Sequence, residues 1–235
     1  MTVWWRARLV ERQKQSDTGL TLLFEVPQWP GHLAGQHVDV RLSGDDGYQA
    51  VRSYSLAAPA RGTGIELGVQ AVPGGEVSPY LAHELPVGAE VEVRGPLGGW
   101  FVWKAERTDP VILVAGGCGI VPLMAIIRAH RLAGSAVPIR LIYSIRDPGE
   151  VWYRDELSEN TGLGTAVQLV HTRVAPPGSS RPAGRITAED LLPPEEYERT
   201  AVCFVCGPTG FVEHAANLLT SAGYAPDRIR TERFG

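Results

Sequence analysis

The sequence predicts a β + α/β chain: an antiparallel sheet closed as a barrel or sandwich, followed by a doubly wound α/β domain. Three observations carry this. Apolar residues alternate with period two over short segments of the first hundred residues. A continuous apolar run, Val111-Ile112-Leu113-Val114-Ala115, then follows a polar segment that ends at Pro110, as in a parallel strand buried on both faces. From there, strand-like and helix-like segments take turns.

In the first half, Leu20, Leu22, Phe24 and Val26 share a face, Val38, Val40 and Leu42 alternate with Asp39 and Arg41, and Val91 and Val93 alternate with Glu90, Glu92 and Arg94. Turn-rich stretches such as Ser43-Gly44-Asp45-Asp46-Gly47 separate them. Only residues 78–85 look helical in this half. In the second half, the run at 111–115 leads into a helix with Ile120, Leu123, Met124 and Ile127 on one side. A second strand at 141–143, a short helix at 153–159, a third strand at 167–170 and a fourth at 202–205 follow. The last helix carries Val212, Ala215, Ala216 and Leu219 on its apolar face, and a Pro/Gly/Ser-rich loop spans 175–184. The domains are expected at 1–105 and 106–235.

Composition narrows the function. The chain has 235 residues, 44% apolar and 20% charged, which argues against disorder or a fibrous repeat. A net charge of −4 with no run of Lys or Arg argues against nucleic-acid binding. The longest uncharged stretch, 111–127, is shorter than the roughly 20 residues of a membrane helix and is broken by glycines and Pro122, so no membrane segment is expected. Residues 1–8 lack the apolar core of a signal peptide. Three cysteines, an odd number in apolar contexts, suit a reducing compartment, and a cytoplasmic protein is expected.

Four segments bear on chemistry, and each admits a plain structural reading beside a functional one. Gly117-Cys118-Gly119-Ile120-Val121-Pro122 lies between a buried strand and a helix, so it is either a glycine-rich turn or a cradle for a phosphate at a helix start. Arg52-Ser53-Tyr54-Ser55 lies in a strand; Arg52 and Tyr54 face one way, either as exposed surface or as a phosphate clamp beside a ring platform. Gly74-Gly75-Glu76-Val77-Ser78 precedes the short helix, where Ser78 caps it ahead of Pro79 or joins main-chain amides around a second phosphate. Cys206-Gly207-Pro208 ends the last parallel strand, at the edge where ligands enter such sheets, and Cys206 is core or faces the ligand.

Together, Arg-x-Tyr-Ser, Gly-x-x-Ser, Gly-Pro-Leu-Gly at 95–98, Gly-Gly-x-Gly-x-x-Pro, Cys-Gly-Pro and a C-terminal aromatic resemble the ferredoxin–NADP⁺ reductase family of flavoproteins, in that order and over nearly the whole chain. The resemblance implies a six-stranded antiparallel β-barrel that binds flavin and a Rossmann-like parallel-sheet domain that binds NAD(P). The flavin contacts it implies are Arg52 on a phosphate, Ser53, Tyr54 against the ring system, Ser55 near N5, Val69, Val72, and the pyrophosphate segment Gly75, Glu76, Val77 and Ser78. Gly117, Gly119, Pro122, Ser144, Arg146, Arg173, Gly207 and Pro208 would hold the dinucleotide. Cys206 would sit beside the nicotinamide and Phe234 over the flavin, so Tyr54, Ser55, Cys206 and Phe234 form the expected reaction centre. FAD is expected over FMN, because the 75–78 segment has little to bind without a pyrophosphate.

Arg146 and Arg173, each after a strand end, suit a 2′-phosphate, whereas Asp147 suits a free 2′-hydroxyl; NADPH is the expected coenzyme, with NADH as the other. The expected activity passes a hydride from NAD(P)H to FAD and single electrons to an external protein: a ferredoxin, flavodoxin, oxygenase, haem or molybdenum enzyme. Two other readings are an electron-transfer subunit of a larger complex and a noncatalytic dinucleotide-binding protein.

Overall fold

Two sheets organise the computed structural model, which describes residues 3–44, 46–160, 165–191 and 200–234. Met1 and Thr2, Asp45 of the 43–47 turn, and Gly235 lie outside the described residues. The first sheet is built from β1 (Trp5–Lys14), β2 (Gly19–Glu25), β3 (His37–Ser43), β4 (Gln49–Ser55), β5 (Gly64–Gln70) and β6 (Glu90–Leu97). Its order is β4-β3-β6-β1-β2-β5 and every pair is antiparallel. An antiparallel bridge between Leu56 and Leu67, with the Ala57 N–H donating to the Glu66 carbonyl at 2.7 Å, joins the two outer strands and closes the barrel. Leu22, Phe24, Val38, Val40 and Val93 fill it, as their alternation requires.

Between β5 and β6, α1 (Val77–Pro79) continues into a wider π-type turn at Tyr80–Glu84, where the Leu85 N–H reaches the Tyr80 carbonyl at 2.8 Å. The helix expected at 78–85 is therefore present, but Ser78 does not cap it. Glu76 occupies the cap position, and the Ser78 hydroxyl instead accepts the Val72 N–H at 3.1 Å, pinning the preceding loop.

The second sheet is wholly parallel: β7 (Val111–Gly116), β8 (Ile139–Ile145), β9 (Thr165–His171), β10 (Val202–Pro208) and β11 (Ile229–Phe234), in the order β11-β10-β7-β8-β9. Among the described residues, four helices connect and cover these strands: α2 (Ile120–Leu132), α3 (Arg154–Asn160), α4 (Ala188–Leu191) and α5 (Thr209–Ser221). One face of the sheet packs with α2 and with Phe101 and Trp103 of the segment that follows the barrel, and the other packs with α5.

The two parts meet on the outer faces of β2 and β5. Along β5, Ile65, Leu67 and Val69 point into the barrel while Glu66, Gly68 and Gln70 point out. Glu66 pairs with Arg128 of α2 at 2.6 Å. On β2, Thr21 stands opposite Gly68 and its hydroxyl donates to the Tyr153 hydroxyl at 3.4 Å. The Trp152 indole donates to Ser16 at 3.2 Å, and the Tyr153 N–H donates to the Gln15 side chain at 3.0 Å. Tyr153 holds a left-handed backbone (φ 55°), an unfavourable conformation for a bulky residue that this docking over-determines.

Candidate active site

The parallel sheet reverses its winding between β7 and β10, where Ala115 lies opposite Cys206. Beyond these strands the glycines divide the labour. Gly117 takes φ 55° over open space, so it is there for conformation. Gly119 is there for contact: a Cβ would lie 2.2 Å from the Cys206 carbonyl oxygen. Gly116 and Gly207 both lie under Phe211, whose ring carbons would be 2.6 Å and 2.7 Å from added Cβ atoms. Pro122 is buried in the first turn of α2, where its missing N–H costs nothing. The Ile120 N–H already meets the Gly117 carbonyl, so the unpartnered donors of this helix start lie before it, in the 3₁₀ turn at Gly117–Gly119.

Two adjoining cavities open over this edge. One of about 190 Å³ is lined by Gly117, Cys118, Ser144, Phe234 and, from the barrel, Gln70. The other, about 590 Å³, is lined by Arg146, Thr172, Arg173, Arg185, Phe211 and His214. Pro208 borders both. Arg146 and Arg173 are exposed and joined through the main chain, Arg173 N–H to Arg146 carbonyl at 2.9 Å. Neither they nor Arg185 has an ion-pair partner among the described residues. Asp147 is already committed: its carboxylate accepts the Gly149 N–H at 2.9 Å and caps a 3₁₀ turn.

On the barrel side, Arg52 is exposed and its side chain meets only the Val51 carbonyl, at 2.7 Å, which leaves most of its donors open. Tyr54 shares its face but is 9% exposed within the barrel core, and burial pushes its phenol up to about 12 despite Arg52. Ser53 is not part of this grouping. It points to the opposite face and donates to Asp39 at 2.6 Å, beside Arg94 on the same carboxylate. Val69 and Val77 are core, so only their main chain can meet a ligand, whereas Val72 is exposed. The 72–78 loop is tied by Gly75 N–H to Val72 carbonyl at 3.0 Å, and the Tyr48 hydroxyl donates to Glu76 at 3.1 Å. A third cavity, about 630 Å³, lies on the barrel flank, bordered by Tyr48 and by Glu76 of the 72–78 loop. Its two arginines are already paired, Arg6 with Glu90 and Arg41 with Glu92, which leaves no open cation for a phosphate.

Strand β11, absent from the sequence expectations, closes the cleft. Its pairing sets Glu232 opposite Cys206 and Phe234 opposite Pro208, on the sheet face that looks toward the barrel. Across the gap, His37 pairs with Ser55 in the barrel and its Nδ1 stands 3.6 Å from a Glu232 oxygen, too far for a hydrogen bond. Burial pushes the Glu232 carboxyl up to about 7 and the His37 imidazole down. Burial thus favours the uncharged form of both groups. Cys206 is 1% exposed, and burial together with Glu232 holds its thiol well above the ordinary range. It is therefore a neutral SH group and not a thiolate nucleophile. The structure brings Cys206, Glu232 and Phe234 together along one sheet edge, with His37 across from Glu232 and Ser55 beside His37 in the barrel, and Gln70, Arg185 and Phe211 line the adjoining cavities.

Residues 6–102 match the oxidoreductase FAD-binding domain and residues 113–217 the oxidoreductase NAD-binding domain. The chain belongs to the ferredoxin–NADP⁺ reductase-like flavoprotein family. It is 29% identical, over 85% of its length, to the ferredoxin–NAD(P)(+) reductase component of the naphthalene 1,2-dioxygenase/salicylate 5-hydroxylase systems of Ralstonia sp.. It covers 60% of that relative, and 55–60% of the other curated relatives it matches most strongly. Among solved structures, it superposes on the FAD/NAD-binding domain of nitric oxide dioxygenase from Vibrio cholerae O1 biovar El Tor with a TM-score of 0.87 (23% identity, 98% of each chain). A ferredoxin NADP⁺ reductase from Neisseria gonorrhoeae gives 0.82 (20% identity, 98% of this chain and 97% of that one). Both confirm the barrel-plus-parallel-sheet fold that the motifs led to expect.

Proposed function

We propose that this member of the family takes electrons from NADPH through FAD and delivers them to a separate redox protein. The observation that carries this reading is the cleft itself: open arginines at both ends, and between them a face made by Cys206, Glu232 and Phe234. Bound in this cleft, the two cofactors would supply hydride transfer from nicotinamide to flavin and the release of single electrons to an acceptor.

The chain's part is to bind, orient and exclude. Arg52 and the 72–78 loop, with Gly75 and Ser78, fit the flavin phosphates; Tyr54 and Ser55 fit the ring system. The turn at Gly117–Gly119 and the first turn of α2 fit the dinucleotide phosphates. Phe234 covers the ring site and the Cys206 SH lies beneath it, so water has little access there. Arg146, Arg173 and Arg185 offer uncompensated charge for a 2′-phosphate, while one oxygen of Asp147 is engaged by its own turn. The domain boundary is placed at 105/106, between the two matched regions.

The acceptor class follows from the relatives, whose names describe reductase components of oxygenase systems; an oxygenase or its ferredoxin is the partner we infer. The same names favour a second reading, a reductase component acting within such a system. No helix among the described residues is long and apolar enough to cross a membrane, and the three free cysteines support a cytoplasmic setting. The test is anaerobic mixing of FAD-loaded protein with NADPH or NADH. Rapid bleaching with a higher kcat/KM for NADPH is expected. A noncatalytic binding protein leaves the flavin oxidised, and a preference for NADH refutes the coenzyme assignment.

A further inference from the structure

The outward face of β5 presents Glu66, Gly68 and Gln70 in a row toward the nucleotide domain. Glu66 grips Arg128 at one end of α2, and Gln70 lines the smaller cavity beside Gly117 and Cys118. Between them, Gly68 meets Val121 in the first turn of α2. A Cβ on Gly68 would stand 2.2 Å from Val121 Cγ2, 2.7 Å from Cγ1 and 3.0 Å from Cβ. The two Cγ atoms flank the approach, so every staggered valine rotamer leaves at least one of them in the clash and strand and helix must part by about 1 Å; Val121 Cβ alone, at 3.0 Å, asks for only a few tenths. The same close approach recurs one strand away, where a Cβ on Gly19 would lie 2.0 Å from the Trp152 ring. Val121 follows Gly119 by two residues, and Gly119 backs directly onto the Cys206 carbonyl. Gly68 precedes Gln70 by two. The contact thus links the barrel wall to the turn that carries the nicotinamide edge of the cleft.

We propose that the Gly68–Val121 contact is a spacer that sets the distance between the flavin-bearing barrel and the nucleotide domain, and through it the rate of hydride transfer. Gly68 and Val121 are positioning residues, and the proposal rests on the reductase reading above. Reaction distance is sensitive on this scale: about 1 Å of misplacement far from the chemistry lowers a rate by about 100-fold. Coenzyme affinity is set by the arginines and the Gly117–Gly119 turn within one domain, so the spacer acts on the transfer step and not on binding.

The experiment compares the parent protein, Gly68→Ala, Val121→Ala and the double variant, each loaded with FAD. Rapid-mixing reduction by saturating NADPH should slow by about 10- to 100-fold in Gly68→Ala, with coenzyme Kd changed by less than about 3-fold. Reoxidation of the dithionite-reduced flavin by ferricyanide, which bypasses the spacer, should be unchanged. Adding Val121→Ala removes both Cγ atoms and should restore most of the lost rate. In FAD-free protein, the Tm loss of Gly68→Ala should likewise shrink when Val121→Ala is present, a non-additive pair. Should Gly68→Ala not fold, Val121→Ile adds a carbon at the same contact and should slow reduction several-fold. The spacer is overturned if folded Gly68→Ala, or Val121→Ile in its place, reduces its flavin at the parent rate. It is also overturned if the double variant is no faster than Gly68→Ala, or if the Tm effects simply add. A parent protein that NADPH does not reduce overturns the reductase reading itself, a different result from a variant that matches a working parent.

Discussion

Replacing Arg128 by Met tests whether the two domains are clamped electrostatically. The guanidinium lies at the junction with its side chain 18% exposed. One terminal nitrogen donates to Glu66 at 2.6 Å and to the Ala57 carbonyl at 3.0 Å; Nε and the other terminal nitrogen donate to Glu156 at 3.0 Å and 2.6 Å. The Tyr153 ring lies 5.1 Å from the guanidinium carbon. Burial opposes the charge, yet Glu156 and Glu66 outweigh it and hold the guanidinium firmly protonated. Met keeps the aliphatic packing and removes every one of these bonds. Breaking a fully buried pair costs about 3–5 kcal/mol. Here about a fifth of each carboxylate side chain is exposed, and Glu156 retains Arg131 at 3.0 Å, whereas Glu66 is left without a cation at ion-pair distance among the described residues. The loss should therefore be about 2–3 kcal/mol, or a Tm lower by about 5–10 °C for a chain of this size. Calorimetry on FAD-free protein checks it, and Arg128→Met with Glu66→Gln should recover part of the loss by removing the stranded charge. A decrease below about 1 kcal/mol, the scale of a screened surface pair, refutes the clamp.

Three further outcomes follow from the site. Glu232 binds its proton more tightly folded (about 7) than unfolded (4.5), so its contribution to stability is full below pH 4.5 and lost as pH rises through 7. Between pH 4.5 and 8 the parent should lose up to about 3 kcal/mol relative to Glu232→Gln, measured by urea unfolding, and parallel pH profiles would show that the carboxyl is not held protonated. Gly119→Ala should be far more damaging than Gly117→Ala: the first drives a Cβ into main-chain atoms at 2.2–2.8 Å, whereas the second meets open space and costs only the left-handed conformation, about 1–2 kcal/mol. Equal losses would show that contact and conformation are not separable there. Iodoacetamide at pH 8 should leave all three thiols largely unmodified in the native protein, since burial holds Cys118 and Cys203 near 12 and Cys206 well above its usual range. Rapid labelling of Cys206 by mass spectrometry would contradict that.

Much of the fold was legible because its strands follow simple periodicities. The run at 111–115 and the alternation around Val38, Val40, Val91 and Val93 each report burial on two faces or on one. Strand β1 hides its pattern because the register shifts between Leu9 and Glu11, so the inward phase set by Ala7 and Leu9 breaks. Strand β11 hides for another reason. Ile229-Arg230-Thr231-Glu232-Arg233-Phe234 reads as a charged tail, and it forms a strand because β10 offers a free parallel edge and because the Arg230 side chain is absorbed by the Trp100 and Val102 carbonyls. Missing that strand meant missing Glu232, whose only sequence signal is a place two residues before Phe234.

The site divides along the same line. Tight turns and helix starts are made by local chemistry, and such chemistry leaves contiguous motifs: Gly117–Gly119, Gly75 to Ser78 and Cys206 to Pro208 are all visible as short words. Ser53 stands in a fourth segment, Arg52 to Ser55, where the pleat turns it to Asp39. Contacts between domains leave no such words. Gly19 and Gly68 look like weak points in strands until Trp152 and Val121 are seen against them, and Arg128 is one more helix arginine until Glu66 arrives from a strand 62 residues away. In an enzyme whose two cofactors sit on different domains, the parts that hold each cofactor are thus readable from the chain. The parts that bring the two domains together are properties of the docked surfaces, which is why Gly68, Val121 and Arg128 carry no such signal in the sequence.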